Sequence, residues 1–102
     1  MDYFEFRESN TKERWKMCDA KSIAYTRGSE DRLINFTRMG ERFHMEREKV
    51  LGIYMTKHWD AILHYLATGE EGPEGIEQNI FDVQNYLDLM LKMVSEKKGI
   101  PF

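Results

Sequence analysis

The hydrophobic residues of this 102-residue chain recur at helical spacing. Apolar positions are three or four apart, strict alternation is absent and valine is scarce, so strands are not indicated. Proline occurs only at Pro73 and Pro101, which leaves the chain before Pro73 free of the strongest helix breaker. The pattern predicts an all-α fold, a compact bundle of about four helices in one domain over residues 1–102. The helices are expected at about 10–25, 31–43, 45–68 and 76–95, with a tail over 96–102.

Start and stop signals set these boundaries. Ser9 to Thr11 are suitable N-caps for the first helix, with Glu13 close behind. The segment TRGSED then breaks the pattern, and Ser29 or Asp31 is expected to cap the second helix. Gly40 either weakens the middle of that helix or marks its end.

The third helix is apolar around most of its circumference. One predicted stripe contains Leu51, Tyr54, Met55, His58, Ile62, Tyr65 and Leu66, while Ile53, Trp59 and Leu63 lie outside it. A helix that is hydrophobic on more than one side has to be buried on more than one side. We therefore expect this helix to be central in the monomer or buried again in a homo-oligomer, a dimer or a higher even-numbered assembly.

The fourth helix has two distinguishable stripes. The predicted core stripe is Ile76, Ile80, Val83, Leu87, Met90, Leu91 and Val94. A flanking stripe mixes polar and apolar groups, namely Asp82, Tyr86, Leu89 and Met93 with Asn85 at its edge. Such a mixture is typical of a binding site or a subunit interface.

Composition narrows the class of protein. The net charge of −3 argues against broad nucleic-acid binding, which depends on Lys and Arg neutralising phosphates. The single cysteine, Cys18, excludes an internal disulfide framework and fits a reducing compartment. No apolar run reaches the length of a membrane span, and the acidic, aromatic N-terminus is unlike a signal peptide. A cytoplasmic protein without a membrane partner is expected.

Polar side chains beside the apolar stripes of the last two helices suggest a site. Lys57 and Asp60 are three residues apart and share a face, either as a surface ion pair or as a phosphate contact with a carboxylate that orients it or holds a metal. His64 lies two turns beyond Lys57 and would extend such a site. His58 is on the apolar stripe, either as a hydrogen-bonded core residue or as a ligand.

Asp82 and Asn85 form a second pair at helical spacing. Both offer oxygen atoms that can coordinate Mg²⁺, together with Asp60. The alternative is a hydrogen-bond network between helices that reaches Lys57 or His58. The sequence has no HExxH zinc motif, phosphate-binding P-loop or dinucleotide-binding GxGxxG.

The segment KSIAYTRGSEDRLINF is a further candidate for binding. Tyr25 and Arg27 precede a glycine turn, and Arg32 and Asn35 follow it. Turn amides, a helix N-terminus and arginines together suit an anionic group. The alternative is a solvated turn followed by a capped helix.

These residues carry a resemblance to a known family. Three groups of spaced residues resemble the pattern of small phage and prophage proteins called nucleotide modification associated domain 1. They are Lys21, Tyr25, Asn35 and Phe36, then Lys57, His58, Asp60 and Ile62, and finally Glu77, Asp82, Asn85, Tyr86 and Leu87. The resemblance spans about residues 18–94. It implies phage biology and nucleotides, and it implies no established reaction.

The chain is more distantly similar to the all-α nucleoside triphosphate pyrophosphohydrolases of the MazG and dimeric dUTPase kind. Those enzymes bind Mg²⁺ through two acidic motifs. At the corresponding positions this chain has Lys57 with Asp60, and Asp82 with Asn85, so it offers fewer carboxylates for Mg²⁺.

Three functions therefore stay open. The leading one is binding of a phosphorylated nucleotide through Tyr25, Arg27, Arg32, Lys57 and Tyr86, for nucleotide metabolism or sequestration of a signalling nucleotide. The others are Mg²⁺-dependent triphosphate hydrolysis and a helical interaction module without a small-molecule ligand.

Overall fold

A computed structural model describes the backbone of residues 1–26 and 31–101, and the side chains of residues 1–21 and 31–101. Over these ranges the regular elements are four α-helices, α1 (Tyr3–Thr26), α2 (Ile34–Phe43), α3 (Arg47–Thr68) and α4 (Ile76–Lys98). The all-α, four-helix prediction is confirmed. In the described part of the chain, none of the helices has the length and apolar character needed to cross a membrane. The chain groups into two compact units, residues 1–32 and 33–102.

The first unit is dominated by α1, which begins well before its predicted start near residue 10. The Asp2 side chain caps the helix, since its Oδ1 accepts the backbone N–H of Glu5 at 2.8 Å. The predicted cap at Ser9 to Thr11 was therefore wrong. Thr11 is inside the helix, where its hydroxyl donates to the carbonyl of Arg7 at 2.7 Å.

The second unit is built on α3, which packs against both α2 and α4. Its buried centre consists of Leu33, Phe36, Val50, Leu51 and Met93. Arg47 at the start of α3 forms an ion pair with Glu96 near the end of α4, so these two helices are antiparallel. The unit is therefore an α3–α4 hairpin with α2 covering one side.

A close backbone contact fixes the turn between α2 and α3. Gly40 is buried, and a Cβ added there would lie 2.6 Å from the carbonyl oxygen of Met45. The Gly40 carbonyl in turn accepts the Met45 N–H at 2.9 Å. Gly40 is thus required by the close approach of the next segment. The N-cap residue of α2 is Leu33, two residues after the expected Asp31, and the Leu33 side chain forms no capping hydrogen bond. Ser29, the other expected cap, lies outside the described residues.

The stripe predicted as the core of α4 is only partly buried. Ile76 and Val83 are buried, but Ile80, Leu87 and Leu91 are exposed. The mixed flank faces inward instead, since Asp82, Asn85 and the fully enclosed Met93 are all buried. This orientation brings Oδ2 of Asp82 to 3.3 Å from Nδ1 of His58 on α3.

Candidate metal centre

Over residues 33–101 four polar side chains are buried, which is a large number beside the seven buried hydrophobic ones. They are His58 on α3 and Asn79, Asp82 and Asn85 on α4. Among the described residues, every buried side-chain nitrogen or oxygen has a hydrogen-bond partner. The buried polar groups therefore form a satisfied network, as desolvation of such groups requires.

The centre of this network is the Nδ1 atom of His58. It lies 3.0 Å from Oδ1 of Asn79 and 3.3 Å from Oδ2 of Asp82. A third oxygen, Oε2 of Glu74, lies 3.9 Å away. One imidazole nitrogen thus faces three side-chain oxygens, two of them from carboxylates.

The Asn79 amide determines which tautomer His58 adopts. Its Nδ2 donates to the carbonyl of Gly75 at 3.0 Å, which turns its Oδ1 toward the imidazole. An amide oxygen only accepts hydrogen bonds, so the facing Nδ1 atom of His58 carries the proton. The Nδ1–H donor is shared between this amide oxygen and the Asp82 carboxylate.

The two carboxylates are held in different ways. Asp82 is buried on α4, and its other oxygen, Oδ1, accepts a hydrogen bond from Nε2 of Gln78 at 3.0 Å. Glu74 lies on the loop before α4, with its side chain about half exposed, and its Oε1 is 3.6 Å from Nζ of Lys57. Asp82 is therefore a fixed group, whereas Glu74 can adjust its position.

The Glu74 loop is shaped by glycines and by a second glutamate. Gly69 and Gly75 have positive φ angles of 75° and 82°, which L side chains rarely adopt. Oε1 of Glu71 accepts the backbone N–H of Ile76 at 2.9 Å and so caps α4 from within the loop. This cap sets where α4 begins, and hence where Asn79 and Asp82 meet α3.

The arrangement has the dimensions of a metal-binding site. One ligand atom each from His58, Glu74 and Asp82 can be chosen so that all three lie within 4.8 Å of one another. Ligands at about 2.1 Å from a tetrahedral ion are about 3.4 Å apart. The His58–Asp82 separation matches this spacing, and Glu74 needs only a small movement of a half-exposed side chain. Gln78 already orients Asp82 as an outer partner, as metal-binding carboxylates require.

The structure separates the predicted site residues into two groups. Asp82 and His58 meet in the cluster, and the Tyr86 ring lies 5.7 Å from the imidazole ring. Asn85 is buried one turn beyond Asp82. Asp60 is exposed and is absent from the cluster, and the ammonium of Lys57 pairs with Glu74.

The remaining predicted residues lie elsewhere. His64 is exposed and its Nε2 is 3.2 Å from Oε2 of Glu70. Asn35 is half-buried on α2, and Arg32 is exposed in the first unit. Tyr25 and Arg27 lie outside the residues whose side chains are described. Their proposed phosphate and base contacts stay predictions.

Sequence reasoning missed three members of the network, namely Glu74, Gln78 and Asn79. Asn79 is three residues before Asp82, so helical spacing puts it on the same face, and this signal could have found it. Gln78 is four residues before Asp82 and follows the same rule. Glu74 is in an irregular loop, where no periodicity indicates the direction of a side chain.

Comparisons with protein-family models, with curated proteins and with solved structures found no match to this chain.

Proposed function

We propose that this chain binds one divalent transition-metal ion through Nδ1 of His58 and the carboxylates of Glu74 and Asp82. The observation that carries the proposal is the convergence of these three ligand atoms within 4.8 Å, two of them from buried residues. Oδ1 of Asn79, 3.0 Å from Nδ1, is available as a fourth ligand.

The ligand set selects the kind of ion. Mg²⁺ prefers sites made of oxygen alone, whereas imidazole nitrogen suits Zn²⁺ and the other late first-row ions. Mn²⁺ accepts carboxylate and amide oxygens together with an imidazole. The proposal therefore favours Mn²⁺ or Zn²⁺ over the Mg²⁺ expected from the sequence.

Isothermal titration calorimetry with Mn²⁺, Zn²⁺ and Mg²⁺ tests this proposal. We expect one site per chain and at least about a hundredfold weaker metal binding in Asp82→Asn. Mutating a residue that only supports a metal ligand already lowers metal affinity by about 10–100-fold, and mutating the ligand itself should lower it more. Asp60→Asn is the matched control, since it makes the same change on an exposed residue of α3. Equal affinity in the two variants would overturn the assignment.

We further propose that the bound ion holds the phosphate of a nucleotide, in keeping with the phage-type resemblance. With a neutral His58, the cluster and Lys57 together have two negative charges and one positive charge. A bound dication makes the local charge positive, which favours a phosphate beside the exposed Lys57 ammonium. The Tyr86 ring, half-buried beside His58, offers an aromatic surface nearby.

The nucleotide proposal is tested separately from metal binding. A panel of nucleoside mono-, di- and triphosphates is titrated with saturating Mn²⁺ and with EDTA. We expect binding only with the metal. Lys57→Ala is expected to weaken nucleotide affinity about tenfold, the loss of one hydrogen bond to a charged group, while metal affinity stays within twofold, since the exposed Lys57–Glu74 pair contributes little. Lys49→Ala, another exposed α3 lysine, is the control. Metal binding without any nucleotide response would contradict only this second proposal, and turnover of a triphosphate would identify an enzyme.

A further inference from the structure

We propose that one surface of the α3–α4 hairpin is the interface between two copies of this chain. This surface, the apolar face, comprises Trp59, Leu63 and Leu66 on α3 and Ile80, Leu87 and Leu91 on α4. Each of these six side chains is between 40% and 71% exposed in the single chain.

Helix geometry places the two stripes of the apolar face on one side of the hairpin. On α3, Trp59 is turned about 140° from Tyr54, whose ring contacts Phe36 of α2. On α4, Leu87 is turned about 100° from Tyr86, which also contacts Phe36. His58, which faces α4, is turned about 40° from Tyr54 in the same sense as Trp59, so this rotation carries Trp59 past α4. Because α3 and α4 are antiparallel, the rotation on α4 runs in the opposite sense when both helices are viewed from one end. Both stripes of the apolar face are thus turned away from Phe36 of α2.

The area of this face is in the range of a dimer interface. The six exposed fractions together equal about three complete side chains, or ~600 Å² at ~200 Å² for each large apolar side chain. That is the upper end of the largest apolar patch on an ordinary monomer, about 300–600 Å². Two such faces bury ~1,200 Å², which reaches the standard interface range of about 1,200–2,000 Å² before any polar rim is counted.

The charge pattern favours a second copy over a charged partner. In a two-fold dimer the same patch meets itself, so charges within it would repel. The six side chains of the apolar face are not ionisable, and Thr56 and Gln84 beside them are uncharged. The charged residues that border the face include the exposed Asp60 and Asp88, which a two-fold dimer keeps at its rim. A membrane-surface helix would instead carry Lys or Arg beside its apolar stripe.

Gly52 lies on the same side of α3 as the apolar face, because it is seven residues before Trp59. A glycine inside a helix lowers helix stability, and packing within the chain does not require it, since an added Cβ would meet nothing within 4 Å. A missing side chain at this position lets a partner helix approach closely.

Sedimentation equilibrium of the full chain tests the proposal. We expect a monomer–dimer equilibrium, with Leu63→Asp shifting the dissociation constant at least a hundredfold toward monomer. Ile53→Asp is the control, because Ile53 is similarly exposed on α3 but lies outside the apolar face. A chain that stays monomeric at about 100 μM, well above a micromolar dissociation constant, would overturn the proposal, and so would equal effects of the two variants. Binding of the monomer to neutral lipid vesicles would assign the face to a membrane instead.

Gly52→Ala tests the same interface with a variant that should fold, because alanine favours the helix. We expect the monomer to unfold at an equal or higher urea midpoint, and the dissociation constant of the dimer to rise at least tenfold. A dimer of unchanged affinity in this variant would place the interface elsewhere.

Discussion

Thermal unfolding in the presence of Mn²⁺ gives a strong test of the metal centre, because the expected shift is large. A ligand at one hundred times its dissociation constant stabilises the folded state by about 2.7 kcal/mol. In a chain of about 100 residues, each kcal/mol raises the melting temperature by about 4–8 °C. We therefore expect an increase of about 10–20 °C, measured by calorimetry at fixed protein concentration.

Asp82→Asn should remove almost all of this shift. If its metal affinity falls about a hundredfold, the same Mn²⁺ concentration equals the new dissociation constant and stabilises by only about 0.4 kcal/mol. The melting temperature should then rise by about 2–3 °C. Asp60→Asn should keep the complete shift, because Asp60 is exposed and outside the cluster.

Two results would show that the cluster does not bind the ion. One is an unchanged melting temperature of the original protein at a few millimolar Mn²⁺, above the dissociation constant of about 1 mM that marks the weakest divalent-ion sites in proteins. The other is a large shift that persists in Asp82→Asn, which would show that the ion binds elsewhere on the folded chain.

Two further predictions concern the backbone that supports the site. Gly40→Ala should lower the free energy of unfolding by about 1–3 kcal/mol, since its Cβ would lie 2.6 Å from the Met45 carbonyl oxygen; urea unfolding without a change would contradict the close contact. Glu71→Ala should cost about 0.5–2 kcal/mol by removing the cap on Ile76, measured in the same assay. Glu70→Ala, an exposed neighbour in the same loop, should change stability by less than about 0.5 kcal/mol.

The sequence predicted the helices well where periodicity and breakers were both present. The third helix was expected at 45–68 and is found at Arg47–Thr68, and the fourth was expected at 76–95 and is found at Ile76–Lys98. The glycine-rich segment between them gave clear boundaries. The start of α1 was missed because its cap, Asp2, stands beside aromatic residues that carry no obvious helical pattern.

The orientation of α4 could not be predicted from hydrophobicity alone. The stripe with Ile80, Leu87 and Leu91 is the more apolar one, yet these side chains are exposed in the single chain. The buried Asp82 and Asn79 both face Nδ1 of His58 on α3. Such a pairing across helices is a tertiary property that neither helix reveals by itself.

The candidate site was predicted in part for the same reason. His58, Asp82 and Tyr86 were identified as polar or aromatic groups beside a core, and the structure brings them together. Asp60 was grouped with Lys57 by spacing, but Lys57 contacts Glu74 across the loop instead. The expected homo-oligomer, the expected nucleotide ligand and the expected cytoplasmic location stay predictions.

Nitrogen NMR of His58 shows whether the metal binds at its Nδ1 atom. Without metal, the hydrogen bond to Asn79 requires the proton on Nδ1. Binding of diamagnetic Zn²⁺ to Nδ1 must move the proton to Nε2. At one equivalent of Zn²⁺ we therefore expect the Nε2 shift to become that of a protonated nitrogen and the Nδ1 shift that of a metal-bound, unprotonated one. Zn²⁺ that binds without changing the His58 tautomer, or that changes only His64, would contradict the proposed metal centre.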